Sequence, residues 1–299
     1  MLKKFHHPTM FCLLVGHFFI TLLSSTIVQA NEFEVRGNFE IQGRFFYEEA
    51  LNPKQHDQQL SLAAAPEFFW SWNDDRDSLE FVPSARVDQY DNERTHFDIR
   101  ELSWVHVGDD WETRIGIRRE FWGVTEFQHL VDIINQSDSV EDVDNEDKLG
   151  QPMLNLSLVK EWGIIDIYLL PYFRERTFAG SEGRPGIPFV NSDRPLYESN
   201  DKEKHIDYAL RWSHSINEFD IALSWFEGTN RTPSLIPSIN AQDEFQLIPF
   251  YNQIKQLGVE LQASLESSLL KLEVIHNDNN QKGYWALQGG IEYSQYGIF

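Results

Sequence analysis

The sequence predicts an all-β chain, an antiparallel up-and-down transmembrane β-barrel of about 12 strands. Three observations predict it. Apolar and polar residues alternate with a period of two over segments longer than the five or six residues of an ordinary soluble strand. Every second connection between these segments is short, and all the long ones fall in the other set. Beyond the N-terminus no run of roughly 18 uncharged apolar residues occurs, which excludes a helical span and leaves a strand-built one open.

The N-terminus is a separate element. Lys3 and Lys4 precede an apolar run from Met10 to Leu23, and Val28-Gln29-Ala30 ends it with a small residue. This layout predicts a secretory signal peptide over residues 1–30, cut before Asn31. It removes two lysines and no acid, so 23 cations face 47 anions in the exported part, residues 31–299. Cys12, the one cysteine, goes with it, so disulfides play no part. A balance this acidic gives no footprint for nucleic acid.

The strands follow in order. From Phe33 to Tyr47 the odd positions carry Phe33, Val35, Phe39, Ile41 and Phe45, and the even ones Glu34, Arg36, Glu40 and Arg44. Residues 59–72 set Leu60, Leu62, Phe68, Trp70 and Trp72 against Gln59, Ser61, Glu67 and Ser71. Residues 78–90 and 111–122 repeat the pattern with Arg86 and Asp88, then Arg114, Arg118 and Glu120, on the polar side. Residues 205–213 and 218–226 do so with Asp207, Arg211 and Asp220. Weaker strands fit 96–107, 153–160, 164–173, 253–264, 269–277 and 284–294. Within 96–107, Arg100, Glu101, Leu102 and Trp104 obey neither register. The best helical spacing, Phe127, Leu130, Val131 and Ile134 in 126–136, lies inside a long connection.

The even connections, 73–77, 108–110, 161–163, 214–217 and 265–268, are all short; the odd ones, 48–58, 91–95, 125–152, 174–204, 227–252 and 278–283, contain every long loop. Short turns on one rim and long loops on the other are what a barrel in an outer membrane has. Trp72, Trp111, Trp162 and Trp212 then fall near the short-turn rim, and Trp122, Trp225 and Trp285 near the other, as two aromatic belts.

The stretches Arg118-Arg119-Glu120-Phe121-Trp122-Gly123 and Leu169-Leu170-Pro171-Tyr172-Phe173-Arg174-Glu175-Arg176 resemble segments of porin-like β-barrels of Gram-negative outer membranes. The resemblance implies location and architecture more than solute. Such barrels end in an aromatic residue on an alternating strand that the barrel-assembly machinery reads. Tyr293 and Phe299 suit that signal and Gln295 and Gly297 do not, so the expectation leans to further strands beyond Phe299.

Alternation places Arg36, Arg44, Arg86, Arg114, Arg118, Glu120 and Arg211 on the inner face as pore-lining candidates, where charge is tolerated because the interior is wet. In loop 125–152, Asp138, Glu141 and Asp142 are the constriction candidates; folded inward, this acidic loop would disfavour anions, with Arg114, Arg118 and Glu120 beneath it. Arg174, Arg176, Arg184 and Arg194 in 174–204 would form an opposing positive edge or meet lipid phosphates outside. No calcium-loop spacing, phosphate-cradling glycine loop or metal-ligand histidine spacing occurs, so no cofactor and no metal are expected. His214-Ser215 sits in a short turn and makes no catalytic cluster, so an enzyme is not expected. The expected function is a porin-like channel for passive diffusion of small polar or charged solutes, with outer-membrane lipid as its surroundings. The rivals are a non-conducting barrel with a structural or surface-binding role and a soluble periplasmic β-sandwich.

Overall fold

A computed structural model describes residues 32–295 except 142, 143, 145, 185, 188, 280 and 281. The predicted signal peptide, Asp142 and the last four residues lie outside the described residues.

Fifteen strands form: β1 (Glu32–Phe45), β2 (Gln58–Trp72), β3 (Asp77–Asp88), β4 (His96–Val107), β5 (Trp111–Arg118), β6 (Gln151–Lys160), β7 (Gly163–Leu170), β8 (Leu196–Tyr197), β9 (Asp207–Ile216), β10 (Phe219–Thr229), β11 (Ser234–Ile239), β12 (Phe245–Tyr251), β13 (Gln253–Leu265), β14 (Ser268–Asp278) and β15 (Gly283–Tyr293). Twelve of them make one antiparallel sheet in the order β1-β2-β3-β4-β5-β6-β7-β9-β10-β13-β14-β15, each beside its neighbour in sequence. These are the twelve strands that alternation predicts. Among the described residues no ladder joins β1 to β15. Strands β11, β12 and β8 form a small separate sheet within the long loops, which the sequence reading did not foresee. No helix forms at 126–136.

The sheet is dressed the opposite way to a soluble protein. Phe33, Val35, Phe39 and Ile41 of β1, Leu60 and Leu62 of β2, Leu154 and Leu156 of β6, and Leu257 and Val259 of β13 are all exposed. Arg44, Gln59, Ser61, Arg86, Asp88, Asn155, Glu260 and Glu273 are buried on the other face. More of the buried side chains are polar or charged than apolar. An apolar surface this continuous is far beyond what a monomer keeps in water.

Short turns join the strands at one rim. Asn73, Asp74 and Asp75 take positive φ (58°, 54° and 61°) in the β2–β3 turn, and Asn217 (53°) turns β9 into β10. Asn and Asp tolerate this left-handed region better than other side-chain-bearing residues. Trp72, Trp111 and Trp162 sit at this rim, where Trp212 Nε1 donates to the Trp162 carbonyl at 3.2 Å. Trp122 breaks the belt pattern. β5 stops at Arg118, so residues 119–122 leave the wall, and Trp122 is buried inside against Tyr168, ring centroids 5.7 Å apart.

The irregular stretch of β4 has a local cause. The β3–β4 register slips between Val82 and Pro83: Val82 faces Glu101 while Pro83 faces Ile99. Arg100 is the extra residue of a β-bulge, so Arg100 and Glu101 both reach interior partners, Asp138 and Arg119.

Candidate pore constriction

The long connection between β5 and β6, residues 119–150, folds inside the sheet and touches opposite parts of its inner face. Its two limbs pair locally: Ser137 bridges Lys148, and Leu149 N–H donates to the Gln136 carbonyl at 2.9 Å. At its base the Asn135 side chain accepts from Glu120 N–H (2.9 Å) and donates to the carbonyls of Arg118 (2.7 Å) and Leu149 (2.8 Å).

The root of this loop is held by burial. Val131, Ile133 and Ile134 pack with Trp122, Met153, Tyr168, Leu170, Phe226, Ile254 and Ile275 in one apolar cluster. Glu273 of β14, 0% exposed, caps it. Its Oε1 accepts from Val124 N–H (2.8 Å), Thr125 N–H (2.9 Å) and Thr125 Oγ1 (2.7 Å), and its Oε2 from Val131 N–H (3.3 Å). Gly123 (φ 112°) lets the chain come this close, because a Cβ there would stand 2.8 Å from Glu273 Oε1. On the other side Arg231 donates to the Ile134 carbonyl through Nε (3.1 Å) and Nη2 (3.0 Å), and Asp207 holds its Nη1 at 2.6 Å. Burial raises the Asp132 carboxyl above its ordinary value, and the Lys148 ammonium at 3.0 Å offsets part of that.

The tip is held by charge. Arg86 of β3 grips the Glu141 carboxylate with Nε (3.0 and 2.9 Å) and Nη2 (2.7 Å). Arg100 Nη2 lies 3.6 Å from the same carboxylate and His96 Nε2 3.3 Å. Arg44 donates to the Glu141 carbonyl (3.2 Å) and Arg94 to the Val140 carbonyl (2.7 Å). Asp138, 0% exposed, pairs with Arg100 at 2.7 Å and accepts from Thr177 Oγ1 at 2.7 Å. Burial alone would raise the Glu141 carboxyl; hydrogen bonds from His96 and Arg86 and the charges of Arg86 and Arg100 instead hold it far below the usual carboxylate range.

The sequence-predicted residues are thus brought together differently from the expectation. Arg44 and Arg86 meet Glu141; Arg114 and Arg118 have partners other than Asp138 and Glu141. Arg114 pairs with Glu112 and donates to Asn155 Oδ1 at 3.0 Å. Arg118 lies 3.1 Å from Glu120, which belongs to the loop and not to β5 as predicted. Arg211 grips Glu260 at 3.0 Å through two nitrogens. Arg36 pairs with Glu67 near the short-turn rim. Of the loop 171–206 arginines, Arg174 holds Asp98 (3.0 Å), Arg176 holds Ser139 (2.8 Å) and Arg184 holds Asp57 (3.2 Å). The loop acids Asp138 and Glu141 are therefore neutralised by wall arginines, which corrects the expectation of a bare acidic constriction.

Arg94, His96, Glu273, Arg231 and Asn135 were not singled out. Carrying the alternation through β13 and β14 puts Glu260 and Glu273 on the inner face; nothing in sequence marks the others.

A cavity of about 440 Å³ remains beside the tip, lined by residues that include Arg36, Asn38, Glu40, Ser84, Arg86 and Arg119. His96, Asp138 and Glu141 offer ligand atoms within 4.8 Å of one another. They do not suit a divalent cation, because Arg86 and Arg100 already occupy two of those carboxylates.

No protein-family model matches this chain, and no curated protein matches its sequence. Among solved structures it is similar to OprB of Pseudomonas putida in a high-pH form, at 9% identity and a TM-score of 0.43, over 90% of this chain and 72% of that one.

Proposed function

We propose that this chain is exported and inserted into an outer membrane, where it is a channel for passive diffusion of small polar or charged solutes through a lumen narrowed by loop 119–150. The observation that carries the reading is the reversed dressing of the sheet: apolar side chains outside, arginines and carboxylates within. Lipid suits the first face and water the second. Twelve strands leave a bore only modestly wider than the eight-stranded kind, whose interior side chains fill. The inward loop then filters by size and by paired charges. Outer-membrane lipid, the barrel-assembly machinery and the solutes themselves are the partners of this reading, and it includes no catalysis and no cofactor.

The apolar cluster at the loop root favours a second reading, a closed barrel with a structural or surface-binding role, since Val131 and Ile134 there are fully buried. Refolded mature protein in planar bilayers separates the two. Discrete single-channel steps are expected; a flat trace from protein with heat-modifiable gel mobility leaves the closed barrel. In conducting protein, replacing Arg114 and Arg118 by glutamine shifts ion preference toward cations.

A further inference from the structure

We propose that Asp147 is the residue that sets charge preference in the lumen, and that it favours small cations over anions. The inference deepens the channel reading above and rests on it. Asp147 lines the 440 Å³ cavity beside the loop tip and is exposed there. Every basic side chain that lines the same cavity already has a carboxylate. Arg36 pairs with Glu67, Arg86 with Glu141 and Glu40, Arg100 with Asp138, and Arg119 with Glu101. The His96 imidazole lies 3.3 Å from Glu141. Arg44 and Arg94 reach the loop at the carbonyls of Glu141 and Val140 and do not line the cavity. Among the described residues no basic side chain pairs with Asp147. Arg100, whose charge reaches it, is held at 2.7 Å by Asp138, while Glu141 and Asp138 act on it with the opposite sign.

The paired groups and the single one act on a solute differently. An ion pair is a dipole, and its potential falls with distance faster than that of a lone charge. A solute in the cavity therefore feels Asp147 beyond the reach of the neighbouring pairs. The backbone fixes where that charge stands. The Asp147 carbonyl accepts from Asp138 N–H at 2.8 Å. The next residue, Lys148, bridges Ser137, gives its carbonyl to Arg100 Nη1 at 3.0 Å and places its ammonium 3.0 Å from Asp132. The Asp147 side chain is short, so its carboxylate stays at the wall of the cavity. One carboxylate alone holds no ion tightly, and conduction needs a site that is favourable to enter and easy to leave. The acidic character that the wall arginines remove from Asp138 and Glu141 is thus returned to the lumen at one position.

The test is ion selectivity. Full mature chains are refolded into planar bilayers, and the reversal potential is read across a potassium chloride gradient. Wild type is expected to pass potassium in preference to chloride. Asp147→Asn, which keeps the side-chain size, is expected to lower that preference about sevenfold. One unit charge about 7 Å away changes the occupancy of a monovalent ion about threefold in water, in opposite senses for the two ions. Asp147→Lys turns the preference toward chloride. Asp144→Asn, at an exposed acid of the same loop that does not line the cavity, changes it by less. Residues 31–299 contain no cysteine, so Asp147→Cys gives a second reading in protein that has already folded. A thiol reagent carrying a sulfonate restores the cation preference, and one carrying an ammonium reverses it. Unchanged selectivity in Asp147→Asn, an equal loss in Asp144→Asn, or reagents of opposite charge acting alike overturns the proposal and leaves the channel reading standing. No current from wild type and variants alike, in protein with heat-modifiable mobility, overturns the channel reading and this inference with it.

Discussion

Loop 119–150 is fastened at its two ends by opposite physics. At the root, Val131 and Ile134 are sealed against Tyr168, Phe226 and Ile275, and the Glu273 carboxylate takes up the backbone N–H groups that would otherwise be orphaned there. At the tip, the Glu141 carboxylate is held by the guanidiniums of Arg86 and Arg100 and by His96. Burial is non-directional and is not screened by ions. Ion pairs are specific in geometry, exchangeable, and sensitive to anything that carries the same charge. The difference teaches that burial sets where the loop lies, while the charged tip is the end that ions and pH can reach.

The comparison is broken most severely at the root. Glu273→Ala leaves three backbone N–H donors without their acceptor in a buried site, while the Thr125 hydroxyl keeps the Gln128 carbonyl, and is expected to cost about 1–3 kcal/mol for each orphaned donor. Limited proteolysis within 119–150 and denaturant unfolding in detergent read this; unchanged protection would mean that the apolar cluster alone holds the root.

Acid sharpens the comparison with a smaller effect. Glu141 is depressed in the folded protein, so its contribution is present above its ordinary value of 4.5 and is lost only as pH falls through its much lower folded value. Asp132 is raised, so its contribution is complete below its ordinary value of 3.8 and is lost as pH rises through its folded value. Neither end loosens on acidification, and protease protection of the loop is expected to hold from pH 7 down to about 4, just below the ordinary glutamate range. Release between pH 7 and 5 would overturn this account, because protonating His96 beside the Glu141 carboxylate adds attraction at the tip.

The smallest effect is expected at Arg36, whose pair with Glu67 is largely exposed. Arg36→Ala should change stability by less than about 1 kcal/mol, as surface pairs do. A larger change in denaturant midpoint would place this pair among the fastenings of the loop.

Much of the wall was legible in the sequence because lipid-facing and inward positions must alternate wherever backbone is extended. β4 was predicted over 96–107, and those are its observed bounds. Its interior was illegible for a physical reason: a bulge at Arg100 puts two consecutive residues inside, which alternation reads as noise. The hairpin β11–β12 was hidden by Pro237 and Pro249, since proline within a run argues against a strand and is tolerated here in a small sheet. Val131 and Ile134 have helical spacing, yet the tertiary demand to cover the inner wall folds them as irregular chain. At the site, alternation supplied Arg44 and Arg86 and the acidic loop supplied Glu141, but not that these meet, because which wall residues a loop meets depends on where it crosses.

Where the loop crosses carries a mechanical consequence. It is tied to β14 through Glu273 and to β3 and β4 through Arg86 and Arg100, so it acts as a cross-brace between distant staves. A thin sheet rolled on itself flattens easily into an oval; a strut across it resists that deformation. On the channel reading, the segment that narrows the lumen therefore also braces the sheet, and the two properties cannot be altered independently.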